Sequence, residues 1–303
     1  MTTIKLAIDW TPNVNHIGFY LAKELGHYER EGIYLEILNP AEDNYQMTPG
    51  KKLELGRADF AIAPFETVIS LNNKANKVDA VAVYAVLQED LSRIVSLEGA
   101  NIRSPKELDG KIYASYKARY EDHIVRQMII NDGGRGETEI IYPDKLGIWN
   151  TLLEGKADST WIFDNWEGTE AESKNVKLSK FKMSDFGIPY GYSPVALAKR
   201  SEIASRKDLF SRFIKATREG FLHAADHPDE SVKILRGHLS AYDRKNIDLA
   251  KSLEVSAPHF GDEAHCGKMK PEKVAAFLEW IVEKGLEDKV ILDQPLFTNE
   301  LFG

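Results

Sequence analysis

The chain has 303 residues, enough to bury a substantial core and to divide into two lobes, and its 43% hydrophobic and 28% charged residues are those of an ordinary globular protein. A formal net charge of −8 argues against extended contact with nucleic acid or an anionic membrane, since both need a basic stripe. No apolar run approaches the ~20 residues that span a bilayer, and a single cysteine, Cys266, excludes an internal disulfide and a cysteine-only metal cage.

The chain opens MTTIKLAIDW, with neither a basic n-region nor an apolar h-region. As it stands this sequence is expected in the cytoplasm; a leader upstream would instead send it to the periplasm or to a lipid anchor. The run Ile4–Ile8 alternates as a strand does. His16 to Glu31 has helical spacing, with Phe19, Leu21, Ala22 and Leu25 on one apolar face, and Gly32 supplies the stop. Tyr34–Leu38 reads as the next strand, which completes a strand–helix–strand unit of the kind that builds parallel sheets.

Residues 53–62, LELGRADFAI, are echoed by residues 152–162, LLEGKADSTWI. Each copy has a Leu-rich helix end, a glycine turn, a basic residue and Ala-Asp leading into a short apolar strand. The spacing predicts two similar α/β lobes. The chain leaves the first lobe after the apolar run Val78–Val86, through 88–95, and returns near Ser193–Leu197. Ser104 and Pro105 open a short helix that Gly110 ends. From Lys207 on, two apolar stripes read as helices: Phe210, Phe213, Ile214, Thr217, Phe221, and then Val274, Phe277, Leu278, Ile281, Val282. The expected architecture is α/β with two lobes, each a mixed or parallel sheet flanked by helices: residues 1–88 with 196–303, and residues 89–195. Two connecting segments make a hinge, and the cleft between lobes is the expected ligand site.

Several strings are more specific: DWTPNVNHIGFYLAKELGHYEREGI at 9–33, GRADFAIAPFE at 56–66, WIFDNWEGTEAE at 161–172, GIPYGYSPV at 187–195 and SAPHF at 256–260. In these the chain resembles the NMT1/THI5-like family, which shares the two-lobed fold of periplasmic substrate-binding proteins, and within it the ThiY-type branch. That resemblance implies capture of formylaminopyrimidine or hydroxymethylpyrimidine for thiamin salvage, with an ABC-transporter membrane subunit as partner; a phosphorylated hydroxymethylpyrimidine is the expectation that the basic residues Lys117 and Arg119 add. It also implies that a glutamate at the position of Glu66 contacts the pyrimidine.

An aminopyrimidine is a flat ring with an amine that donates and ring nitrogens that accept, so its pocket needs aromatic faces and a few acidic or amide groups. Trp10 and Asn13 follow the first strand, where α/β sheets open their crevice, and are either ring-facing or a core aromatic and a helix cap. His16 is structural or a ligand contact. Glu66 contacts ligand, or favours its helix dipole, or both. Trp161, Phe163, Asp164, Trp166 and Glu167 form the densest aromatic–acidic cluster, an awkward composition for a core and a natural one for a ligand wall. Tyr190, Tyr192 and Ser193 lie on the return crossing and either meet ligand or pack the hinge. Ser115, Lys117 and Arg119 precede a helix and suit a phosphate, or are a solvated basic turn.

His259, Asp262, Glu263, His265 and Cys266 fit no standard zinc spacing, so no metal is expected, and no cofactor either. The synthase branch of the resembling family uses a lysine to hold pyridoxal phosphate, a reacting histidine and a cysteine-rich iron-binding stretch. Here Ala63 stands at the lysine position and Thr67 at that of the histidine, and no cysteine-rich stretch is present. A Schiff base needs an amine, so a binding protein is expected rather than an enzyme.

Overall fold

The computed structural model describes residues 1–144 and 147–302. Its strands are β1 (Thr2–Ala7), β2 (Ile33–Leu38), β3 (Phe60–Ala63), β4 (Ala80–Ala85), β5 (Ser92–Leu97), β6 (Ile112–Ala114), β7 (Glu139–Ile141), β8 (Ser159–Phe163), β9 (Leu178–Phe181) and β10 (Val195–Lys199). They form two five-stranded sheets, ordered β2-β1-β3-β10-β4 and β7-β6-β8-β5-β9. Both follow one plan. The inner three strands of the first sheet's parallel part, β2-β1-β3, match β7-β6-β8 of the second. In each sheet the fourth place is taken by an antiparallel strand that starts just after a crossing between the sheets, β10 in one and β5 in the other. The protein is an α/β molecule of two lobes.

Helices flank both sheets. The shorter ones are α1 (Ile17–Glu24), α2 (His27–Arg30), α3 (Pro49–Glu54), α4 (Glu66–Asn72), α5 (Glu121–Asn131), α6 (Ile148–Leu153) and α7 (Glu167–Ser173). The C-terminal ones are α8 (Arg200–Asp226), α9 (Pro228–Arg236), α10 (Ala241–Asn246), α11 (Leu249–Ser256) and α12 (Pro271–Glu283). The single helix expected over 16–31 is broken: Gly26 takes a left-handed φ of 73° between α1 and α2, a conformation glycine alone adopts without strain. Both C-terminal stripes are buried as expected. Phe210, Phe213, Ile214, Thr217 and Phe221 of α8 lie under the first sheet, while Val274, Phe277, Leu278 and Ile281 of α12 join a core that reaches both sheets.

The echoed segments fold alike, down to single bonds. Gly56 and Gly155 both take left-handed φ, 66° and 69°. Asp59 accepts from the Lys5 N–H of β1 at 2.8 Å, and Asp158 accepts from the Ile112 N–H of β6 at 2.8 Å. Each aspartate thereby ties the start of a central strand to its parallel neighbour. Immediately beyond these strands, α4 and α7 each open on a glutamate.

Candidate functional site

A cavity of about 370 Å³ lies between the lobes, at the ends of β1, β3, β6 and β8. The first lobe contributes Trp10 after β1, Tyr45, Met47 and Pro49 from the segment leading into α3, and Glu66 and Thr67 from the first turn of α4. The second contributes Tyr116, Arg119 and Glu121 after β6, Trp161 and Phe163 from β8, and Trp166 and Glu167 at the start of α7. Tyr190 and Ser193 close it from the return crossing.

Its walls are aromatic. The Trp10 ring meets Tyr45 edge-on at 5.7 Å and Tyr116 at 6.4 Å. Trp161 meets Tyr190 edge-on at 5.1 Å, and Tyr190 in turn meets Phe277 of α12 at 5.6 Å. Along β8, Trp161 and Phe163 keep partial exposure on the cavity side while Ile162 is buried in the core, as strand alternation requires. Trp166 is 5% exposed and joins the core of the first lobe, although it follows β8 of the second.

Four of its lining side chains are acids, Asp9, Glu66, Glu121 and Glu167, against one cation among the described lining residues, Arg119. Glu66 is 4% exposed, and the Tyr190 hydroxyl donates to its two oxygens at 3.1 and 3.2 Å. Burial pushes the Glu66 carboxyl up to about 7 and outweighs the helix N-terminus, which favours the ionised form. Glu167 accepts from the Phe163 N–H at 3.0 Å, and burial raises it to about 7 as well. Glu121 accepts from the Tyr113 hydroxyl at 2.8 Å and from the N–H groups of Tyr116 and Ala118 at 3.0 and 3.1 Å; burial raises its carboxyl too. Burial, then the Glu167 and Glu121 carboxyls, hold the Tyr116 phenol well above its ordinary range. Such a space favours a ligand with a flat apolar body and hydrogen-bond donors at its edge.

Of the residues singled out in the sequence, Trp10, Asn13, Glu66, Arg119, Trp161, Trp166, Glu167 and Tyr190 line this cavity. Asn13 also caps a helical turn: its Oδ1 accepts from the Asn15 N–H at 2.9 Å and its Nδ2 donates to the Thr11 carbonyl at 3.0 Å. His16 stands behind the wall. Its Nδ1 accepts from the Asn13 N–H, so its Nε2 carries the proton that bonds Asp9, 2.8 Å away. Asp164 points outward to Lys180 and Arg93. Tyr192 is buried, with its hydroxyl accepting from the Lys270 N–H at 2.9 Å.

The basic turn is not a phosphate cradle. Its N–H groups at Tyr116 and Ala118 are taken by Glu121, and that of Lys117 by the Ser115 hydroxyl at 2.9 Å, which itself donates to Asp122. The Lys117 ammonium lies over the Tyr142 ring, 5.2 Å from its centre. The loose His/Cys group is split as well: Cys266 is buried against the Tyr84 hydroxyl, whereas His265 is exposed and bonds Asp262.

Sequence reasoning missed Tyr45, Met47, Tyr116 and Glu121. Glu121 left a legible signal, an acid in the first turn of a helix placed to reach back to free amides. Tyr45 left little, because it sits on an irregular segment with its own φ at 60°.

Two sheets of this plan, with a cavity at the strand ends between them, define the periplasmic-binding-protein fold. Accordingly the chain superposes on the alkanesulfonate-binding protein SsuA of Xanthomonas axonopodis pv. citri, bound to MOPS, with a TM-score of 0.73 at 14% identity over 98% of each chain. Residues 13–231 match the model of the NMT1/THI5 like family, and the chain belongs to that family. It is 23% identical to the formylaminopyrimidine-binding protein of Halalkalibacterium halodurans, over 84% of this chain and 75% of that protein. It is also 23% identical to the 4-amino-5-hydroxymethyl-2-methylpyrimidine phosphate synthase of Legionella pneumophila, over 77% of this chain and 72% of the synthase.

Proposed function

We propose that this chain is a binding protein for an aminopyrimidine of the thiamin pathway, formylaminopyrimidine or hydroxymethylpyrimidine, which it captures between its lobes for uptake through an ABC transporter or for salvage. One observation carries the reading: a near-fully buried carboxylate, Glu66, oriented by Tyr190, faces a cavity walled by the indoles of Trp10 and Trp161. An exocyclic amine beside a ring N–H or protonated ring nitrogen offers paired donors to such a carboxylate, and the indoles supply the faces. The named binding activity of the Halalkalibacterium relative supports the same choice.

The synthase reading has support from the Legionella relative. Against it stand Ala63 and Thr67, which line the cavity at the positions where the resembling synthases carry the lysine and the histidine. A methyl group cannot form a Schiff base, so these residues do not fit pyridoxal phosphate.

Mass spectrometry of small molecules released by denaturing gently purified protein tests the proposal. An aminopyrimidine should appear in stoichiometric amount and rebind by calorimetry. A protein that neither releases nor binds one ends it.

A further inference from the structure

The cavity has one cationic side chain among its described lining residues, Arg119, and that cation is already spent. Its Nε and a terminal nitrogen donate to Glu287 Oε1 at 2.9 and 2.5 Å. The Tyr120 hydroxyl donates to the same oxygen at 2.7 Å, and Asn73 Nδ2 donates to the other at 2.7 Å. Glu287 comes from the segment after α12 and does not line the cavity; its side chain is 9% exposed, against 33% for Arg119. The carboxylate is therefore held from behind by partners in both lobes, Asn73 following α4 and Arg119 and Tyr120 preceding α5.

A second anion device in the same segment is filled the same way. The backbone N–H groups of Tyr116 and Ala118, which would suit a phosphate, hold the carboxylate of Glu121. Both places where an incoming anion would find positive charge or aligned donors are thus occupied by the protein's own carboxylates. An added phosphate would also face Glu66 and Glu167 across the same space.

We infer that Glu287 is a specificity-determining residue: by neutralising Arg119 it makes the cavity reject phosphorylated and other anionic ligands and accept the uncharged alcohol or amine. The inference refines the aminopyrimidine reading and, for its ligand-discrimination arm, rests on it.

The test compares the full-length wild type, Glu287→Gln and the double variant Glu287→Gln/Arg119→Gln. Inorganic phosphate is titrated into each by calorimetry, with no pyrimidine present. Glu287→Gln should gain saturable phosphate binding that neither the wild type nor the double variant shows. Hydroxymethylpyrimidine and its phosphate ester are then titrated separately. The wild type should prefer the alcohol by at least tenfold, and Glu287→Gln should reduce that ratio at least tenfold, mainly by tightening the ester. Should Glu287→Gln melt well below the wild type, Glu287→Asp, which retracts the carboxylate by one methylene, replaces it and should show the same gain at smaller amplitude. A folded variant that gains no phosphate binding overturns the inference, as does a wild type that binds ester and alcohol equally. Gain of phosphate binding in a protein that takes neither of these pyrimidines, nor formylaminopyrimidine titrated beside them, supports the role of Glu287 and removes the aminopyrimidine reading instead.

Discussion

The Tyr190 hydroxyl bonds both carboxylate oxygens of Glu66, at 3.1 and 3.2 Å, across 124 residues of sequence. The bond joins the first turn of α4 to the return crossing, so the acid at the cavity wall is fixed by the segment that carries the chain back to the first sheet. Tyr190 is itself 8% exposed, and together the two residues leave the acid little water.

This environment gives stability a pH dependence of definite sign. The ordinary value for the Glu66 carboxyl is 4.5 and burial raises it to about 7. Between those values the folded protein holds a proton that the unfolded chain has lost, so stability falls as pH rises through the window and levels off above it. From about pH 5 to about pH 8 the ligand-free wild type should lose about 2 kcal/mol more than Glu66→Gln, which does not titrate. Urea unfolding of both at several pH values measures this; parallel curves would show that Glu66 is solvated.

What could be read in the sequence, and what could not, divides along the range of the interactions. The echo at 53–62 and 152–162 was legible because it is local: glycine turn, aspartate and strand recur in order, and the structure gives Asp59 and Asp158 the same bond to a neighbouring strand. Strand alternation likewise set Trp161 and Phe163 apart from Ile162. By contrast, the partner of Arg119 lies 168 residues away, and nothing near either residue announces the pairing. Tyr192, two residues from Tyr190, is buried in the core, where its hydroxyl accepts from the Lys270 N–H 78 residues away, a partner no local pattern announces.

Trp10 and Trp161 stand on different lobes at the same cavity, so each should lose affinity when truncated. Trp10→Ala and Trp161→Ala should each weaken aminopyrimidine binding by about 2 kcal/mol, roughly thirtyfold, through lost stacking and burial. Calorimetry reads the loss directly. The wild type should also show quenched tryptophan emission on binding, and a ligand that leaves emission and both variants' affinities unaltered does not touch these rings.

Asn165 is fully buried and ties the lobes together. Its Nδ2 donates to Asn15 Oδ1 and to the Ser256 hydroxyl, both at 2.8 Å, while its backbone carbonyl accepts from Ser252. Asn165→Ala leaves two buried acceptors short of a donor and should cost about 2 kcal/mol in urea unfolding. A loss confined to a few tenths would mean that water replaces the amide.

Gly220 of α8 faces Gly18 of α1 at a close approach. A Cβ at position 220 would stand 2.0 Å from the Gly18 carbonyl oxygen and 2.9 Å from the Ala22 Cβ. Backbone cannot yield as a flexible side chain can, so Gly220→Ala should destabilise the protein by about 3 kcal/mol, the upper end for overpacking. A denaturation midpoint near that of the wild type would show that these helices slide apart cheaply.

The matched plan of the two sheets has an electrostatic corollary. Each half brings one glutamate on the helix after its echoed strand, Glu66 from one and Glu167 from the other, and both face the same gap. The two acids come from opposite halves, so a guest seated in the gap meets a carboxyl from each. A guest with N–H groups on two edges would therefore bridge the halves through its own donors, whereas an acidic guest would meet a carboxyl on either side.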